Sequence, residues 1–120
     1  GKTRKAIGTT QTKAWITNGK ELTMTLPVGG WTNAVGTSGA SCPCDSWKDH
    51  WDNNTTKTWP SVCSVANCQN PAEFGAHVKN SSADGTWIVP MCTSCNNTGG
   101  TFTLKGNVTL VPAKTLSNCG

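Results

Sequence analysis

At 120 residues and 12.6 kDa, the chain has bulk for one hydrophobic core and not for two. Hydrophobic residues make up 35% and charged residues 13%, and the balance is largely Thr, Asn, Ser and Gly, which favour short strands and turns over long helices. The net charge of +4 is modest, while six tryptophans and seven cysteines exclude a disordered composition outside the N-terminus.

So few large aliphatic side chains make a marginal core, and aromatic burial with crosslinks or metal is expected to supply the missing stability. The fold class that follows is a small β-rich α+β unit: β-hairpins around a cysteine knuckle, with one or two short helices. Residues 1–40 read as a basic arm plus a hairpin and residues 41–120 as the Cys-rich part of one compact unit. No apolar run approaches the length of a membrane span. The chain begins Gly-Lys-Thr without a signal-like segment, so a secreted protein would be in its processed form. Five N-x-S/T sequons, at Asn53, Asn54, Asn80, Asn96 and Asn107, fit an extracellular location.

In chain order, the first thirteen residues lack periodicity. Lys2, Arg4, Lys5 and Lys13 lie among them, a set that suits either a solvated tail or contact with a polyanionic surface. Next, A-W-I-T and L-T-M-T-L alternate apolar with hydroxyl side chains around N-G-K-E, and Asn18-Gly19 accepts the positive φ of a two-residue turn. A first hairpin is predicted there. Pro27, Gly29 and Gly30 end it, and a Gly/Ser/Thr-rich loop leads to Cys42 and Cys44.

Asp45 or Ser46 can cap a helix that sets Trp47 and Trp51 on one face with His50 beside them. Asp45, Asp49 and Asp52 recur at helical spacing and read as a polar face rather than a hard-metal patch. Beyond the Cys63–Cys68 segment, A-E-F-G-A-H-V and T-W-I-V-P read as two strands joined by N-S-S-A-D-G, which places His77 on a strand. After Cys95 a helix of about one turn is expected, stopped by Gly99-Gly100. T-F-T-L-K-G-N-V-T-L-V-P then predicts a closing hairpin turning at Gly106-Asn107.

The cysteines carry the strongest chemical signal. Cys63/Cys68 and Cys92/Cys95 are close pairs, and two such pairs bend the backbone so that four sulfurs complete a tetrahedral zinc site. Seven is odd, so a disulfide framework would leave one thiol over. If four bind zinc, then Cys42, Cys44 and Cys119 remain, and His50 or His77 would make them a second, three-thiolate site. The alternative is disulfides, which oxidising compartments favour. Cys42 and Cys44 are too close in sequence to pair with each other, and either could reach Cys119.

G-A-H-V, a second strand and C-x-x-C-N resemble the ββα-metal core of HNH nucleases, many of which carry a four-cysteine structural zinc. The resemblance implies a treble-clef-like knuckle, with His77 activating water and Asn96 or Asn97 where the helix supplies a residue to a second metal. It covers about a third of the chain. The doubled His or Asp-His of many members is absent, and Gly99-Gly100 shortens the helix. A broader resemblance, carried by C-x-C-x-S-W-x-x-H-W, G-A-H-V, W-I-V-P-M-C-x-x-C-N and the late L-V-P-A, is to small uncharacterised Cys-rich proteins. It implies one stapled unit spanning Cys42 to Cys119, with no assigned activity.

Three functions compete. The favoured one is a non-enzymatic, secreted, self-associating protein of an extracellular material, with hydroxyl and amine side chains meeting silica, another mineral or glycan. An HNH-like nuclease, or an inactive nucleic-acid-binding relative, is the second. A carbohydrate- or base-stacking module using tryptophans such as Trp31 and Trp87 is the third.

Overall fold

The computed structural model describes residues 9–17, 20–34 and 46–113, the hairpin up to residue 25 by its backbone alone. Its first element is the predicted hairpin, β1 (Thr9–Thr17) against β2 (Lys20–Pro27). Thr17 pairs with Lys20, so β1 and β2 form the expected hairpin, while Asn18 and Gly19, the predicted turn, lie outside the described residues. β1 starts at Thr9, earlier than the alternating A-W-I-T stretch. Lys13 therefore belongs to a strand and not to an arm, while Lys2, Arg4 and Lys5 lie outside the described residues. The register shifts between Thr12 and Trp15, and this irregularity hides the strand's first half from a period-2 reading.

The second sheet has five antiparallel strands in the order β6-β3-β4-β5-β7. β3 is Trp31–Asn33, β4 Phe74–Asn80, β5 Ala83–Met91, β6 Thr101–Phe102 and β7 Val111–Pro112. β4 and β5 are the expected pair. Their connection is tighter than N-S-S-A-D-G, because Asn80 already faces Ala83 and only Ser81 and Ser82 turn the chain. Asn80 holds that corner: its amide nitrogen donates to Gly29 O at 2.8 Å and its oxygen accepts from Ser82 N at 2.9 Å.

The closing hairpin does not form. β6 pairs with β3 at one edge and β7 with β5 at the other, so the two halves of 101–112 lie on opposite sides of the sheet. The alternation in this stretch records burial instead: Leu104, Val108, Leu110 and Val111 all enter the core. β3 lies in a stretch that reads as loop, since three residues carry no period.

The core lies on one face of this sheet, where Ala76, Val78, Trp87, Val89 and Met91 meet Trp31, Leu26, Leu104 and Leu110. The other face of β4 and β5 carries Gly75 and His77 and is covered by helix α1 (Trp47–Asn53). Ser46, not Asp45, is its N-cap, accepting from Asp49 N at 3.1 Å. The helix lies so close that a Cβ on Gly75 would stand 2.8 Å from the Trp47 carbonyl and from Ile88 Cγ2. Glycine is what lets helix and strand meet. Helix α2 (Thr93–Asn96) is one turn, begun at Cys92 rather than after Cys95. Among the described residues no helix is long and apolar enough to cross a membrane.

Candidate metal centre

Four cysteines that lie up to 32 positions apart in the chain converge. Cys63 and Cys92 are buried, Cys68 and Cys95 half-buried, and the four Sγ atoms all lie within 4.8 Å of one another. Cys68 Sγ is 3.7 Å from the sulfurs of both Cys92 and Cys95. These separations far exceed the roughly 2.05 Å of an S–S bond, and all four are free thiols. Such a cluster can hold a metal ion.

The backbone explains why they meet. Cys63 and Cys68 bracket a loop anchored on three sides: Ala66 N donates to Thr103 O at 2.8 Å, Ser64 N to Pro90 O at 3.0 Å, and Cys63 N to Asn70 O at 2.8 Å. Asn67, at φ +68°, supplies the left-handed residue that lets Cys68 N turn back onto Val65 O at 3.1 Å. Strand β5 delivers Cys92 to the same place. There the Cys92 sulfur caps α2 by accepting from Cys95 N at 3.4 Å, and one helical turn then brings Cys95 alongside.

Polar side chains brace the loop and the helix that carry the sulfurs. The Asn70 amide lies 3.7 Å from Cys92 Sγ. The Lys105 ammonium donates to Cys63 O at 2.7 Å and Cys68 O at 2.8 Å, holding the loop by both ends and placing a positive charge beside it. Glu73 Oε1 accepts from the Thr93 hydroxyl at 2.5 Å and from Thr93 N at 3.3 Å, fixing the first turn of α2. Asn33 reaches from β3 to cap the other end, donating to Cys95 O and Thr98 O at 2.9 Å each. No spacing rule points to Lys105 or Asn33, which are distant in sequence; Asn70, two residues after Cys68, is the one of these with a local signal.

Electrostatically the cluster favours one thiolate and resists more. Burial acts to push the Cys92 thiol up, but donation from Cys95 N–H, Asn70 and the neighbouring thiols outweighs it and lowers Cys92 to about 7. Burial raises Cys63. Burial and the adjacent sulfurs raise Cys95. Four sulfurs this close deprotonate together only if a cation arrives to offset their mutual repulsion.

The remaining candidates separate. Cys42, Cys44 and Cys119 lie outside the described residues. His50 and His77 come together on α1 and β4, on either side of Trp47: its ring centroid is 5.0 Å from His50 and 4.5 Å from His77, both edge-to-face. His50 is buried and its Nε2 lies 2.8 Å from Pro112 O. His77 Nε2 is buried with no hydrogen-bond partner. Burial lowers the pKa of both imidazoles, so they are neutral at pH 7.

Asn96 is half-buried and Asn97, the C-cap of α2, is exposed. Trp31 and Trp87 are buried in the core and form no stacking platform, a correction to the third reading. Among the sequons, Asn54 and Asn80 are buried with their amides bonded, to His50 O and Gly29 O. Asp49 and Asp52 belong to no metal cluster among the described residues. Comparison with protein-family models, with curated proteins and with solved structures found no match.

Proposed function

We propose that this protein is a zinc-stapled, non-enzymatic structural unit of an extracellular material, secreted and self-associating. One observation carries the zinc assignment. A tetrahedron with Zn–S bonds of about 2.3 Å has sulfur–sulfur edges of about 3.8 Å, and the separations of 3.7 Å at Cys68 match it. Four thiolates fill every position of that tetrahedron and leave none for water or substrate. The ion's role is therefore cohesion, and the loop from Cys63 to Cys68 acts as a treble-clef-like knuckle seated over Cys92 and α2.

Self-association is supported by the first hairpin. Its strands of nine and eight residues pair only with each other among the described residues, so each has an edge able to accept a further strand. A second copy of the chain is the proposed partner, and a mineral or glycan surface the setting. Sedimentation across a wide concentration range, with and without colloidal silica, tests this. Reversible growth of oligomers through residues 9–27 is expected; a strict monomer with no affinity for such surfaces would overturn it.

The HNH relationship is the second reading, favoured by the order of elements: a hairpin bearing His77 runs directly into a cysteine-capped helix. Trp47 against the His77 ring and the single turn of α2 argue for a relative without nuclease chemistry. Magnesium- or manganese-dependent plasmid cleavage abolished by His77→Ala would reverse that judgement.

A further inference from the structure

Five N-x-S/T sequons fall within the described residues, and the fold treats them unequally. A glycan is bulky and leaves the surface from its asparagine amide, so a folded chain tolerates one only where that amide is clear of the packing. Asn54 is 0% exposed, and its Nδ2 donates to His50 O at 2.8 Å. Asn80 is 7% exposed and holds the corner between β4 and β5 with both ends of its amide. A sugar on either would force open the packing around it.

Two more acceptors sit on helices. Asn53 is exposed but is the last residue of α1, and the third residue of its sequon, Thr55, is buried with Oγ1 accepting from Lys57 N at 3.1 Å. Asn96 is half-buried in α2 directly after Cys95, and the hydroxyl of its sequon is committed, Thr98 Oγ1 donating to Ser94 O at 3.1 Å. Both sequons therefore lack a loop backbone and an uncommitted hydroxyl.

Asn107 differs on each count. It is exposed, in a turn with Gly106 that belongs to no helix or strand. A Cβ added at Gly106 would meet nothing within 4 Å, so the outer side of the turn is open. From beneath, the turn is fixed: Val108 is 7% exposed, and Trp51 Nε1 donates to Thr109 O at 3.0 Å. That bond engages the backbone of the sequon's third residue and not its hydroxyl. Beside Asn107 lies a cleft of about 320 Å³, lined in part by Pro60, Val62 and Val108, with room for a first sugar to rest against them.

We propose that Asn107 is the glycan acceptor of this chain, a site that rests on the extracellular reading given above. Its Nδ2 forms an N-glycosidic bond to C1 of a lipid-pyrophosphate-linked oligosaccharide. The bond from C1 to the pyrophosphate oxygen breaks, the lipid pyrophosphate leaves, and the amide gives up one proton. Asn107 stands two positions after Lys105, so the glycan covers the outer side of the segment that braces the cysteine loop.

The test exports the full chain through the secretory route of a eukaryotic cell behind a cleavable signal. Enzymatic release of the glycan in heavy-oxygen water marks each former acceptor as a labelled aspartate, and peptide mapping locates it. Secreted wild type is expected to carry one glycan, on Asn107, and Asn107→Gln should be bare and lighter by the whole glycan. Thr109→Ser should keep the glycan and Thr109→Val should lose it, since both retain the carbonyl that Trp51 holds and only the first retains a hydroxyl. Wild type secreted without a glycan, Asn107 bare while another sequon is occupied, or Thr109→Val as fully occupied as wild type would overturn the proposal. Failure of the extracellular reading is distinguishable: it would show as native protein kept inside its own cells, whereas imposed export tests Asn107 regardless.

Discussion

Replacing Lys105 with methionine isolates what the protein adds to four sulfurs. Methionine keeps the length and apolar packing of the stem but removes the ammonium that donates to Cys63 O and Cys68 O at 2.7 and 2.8 Å. Each charge-assisted bond is worth about 1.5–3 kcal/mol where water cannot replace it. Lys105 is half-exposed, so water takes over part of the role, and about 2 kcal/mol is a reasonable net loss. Because the loop from Cys63 to Cys68 is anchored by these bonds, the loss falls on the metal-bound state, and 2 kcal/mol corresponds to roughly 30-fold weaker zinc binding. Competition against a coloured chelator at fixed pH and ionic strength measures this. Lys79→Met, which removes an exposed charge from β4, is the control and should leave affinity unchanged. Lys105→Met within threefold of wild type would refute the reasoning; equal losses in both variants would reduce it to net charge.

Three further outcomes follow from other parts of the fold. Gly75→Ala drives a methyl into the Trp47 carbonyl at 2.8 Å, a backbone atom that cannot move without shifting α1, and should destabilise by about 1–3 kcal/mol in urea unfolding. Asn67 holds φ +68°, so Asn67→Val should cost about 1 kcal/mol or more in the same assay while Asn67→Gly is tolerated. His50 is buried neutral and its folded pKa lies below the usual 6.5, desolvation outweighing the bond to Pro112. Its contribution is thus complete above pH 6.5 and is lost as pH falls from there through the folded value. Since loss of a zinc ion from the proposed centre would also weaken the protein in acid, the readout is the difference between wild type and His50→Gln, which should narrow between pH 7.5 and 5.5.

The strands that turn locally were legible in the residues. Alternation in A-W-I-T and L-T-M-T-L marks the paired β1 and β2, and G-A-H-V with W-I-V-P marks β4 and β5, because period acts over neighbouring positions. Partner choice is another matter. Alternation in 101–112 is real, yet β6 goes to β3 and β7 to β5, since burying Leu104 and Leu110 in one core decides more than a turn at Gly106-Asn107. Residues 31–33 are too few for any period, although β3 ties β4 to β6 and presents Asn33 to α2. The four sulfurs could be assigned from spacing alone; Lys105 could not, since 37 residues separate it from Cys68 and only the folded loop brings them together. The Ser46 cap and the one-face grouping of Trp47, His50 and Trp51 follow from helix geometry, but that this face lands on His77 depends on Gly75.

The central claim is that Cys63, Cys68, Cys92 and Cys95 act as one set of zinc thiolates. Thiol alkylation of the native protein, followed by peptide mapping, tests it most directly. With zinc bound, all four should be protected, and a strong chelator should expose all four together as zinc is released. Disulfide-linked peptides among the four, each bridge about two daltons lighter than its thiols, or reactivity that the chelator leaves unchanged, would contradict the account.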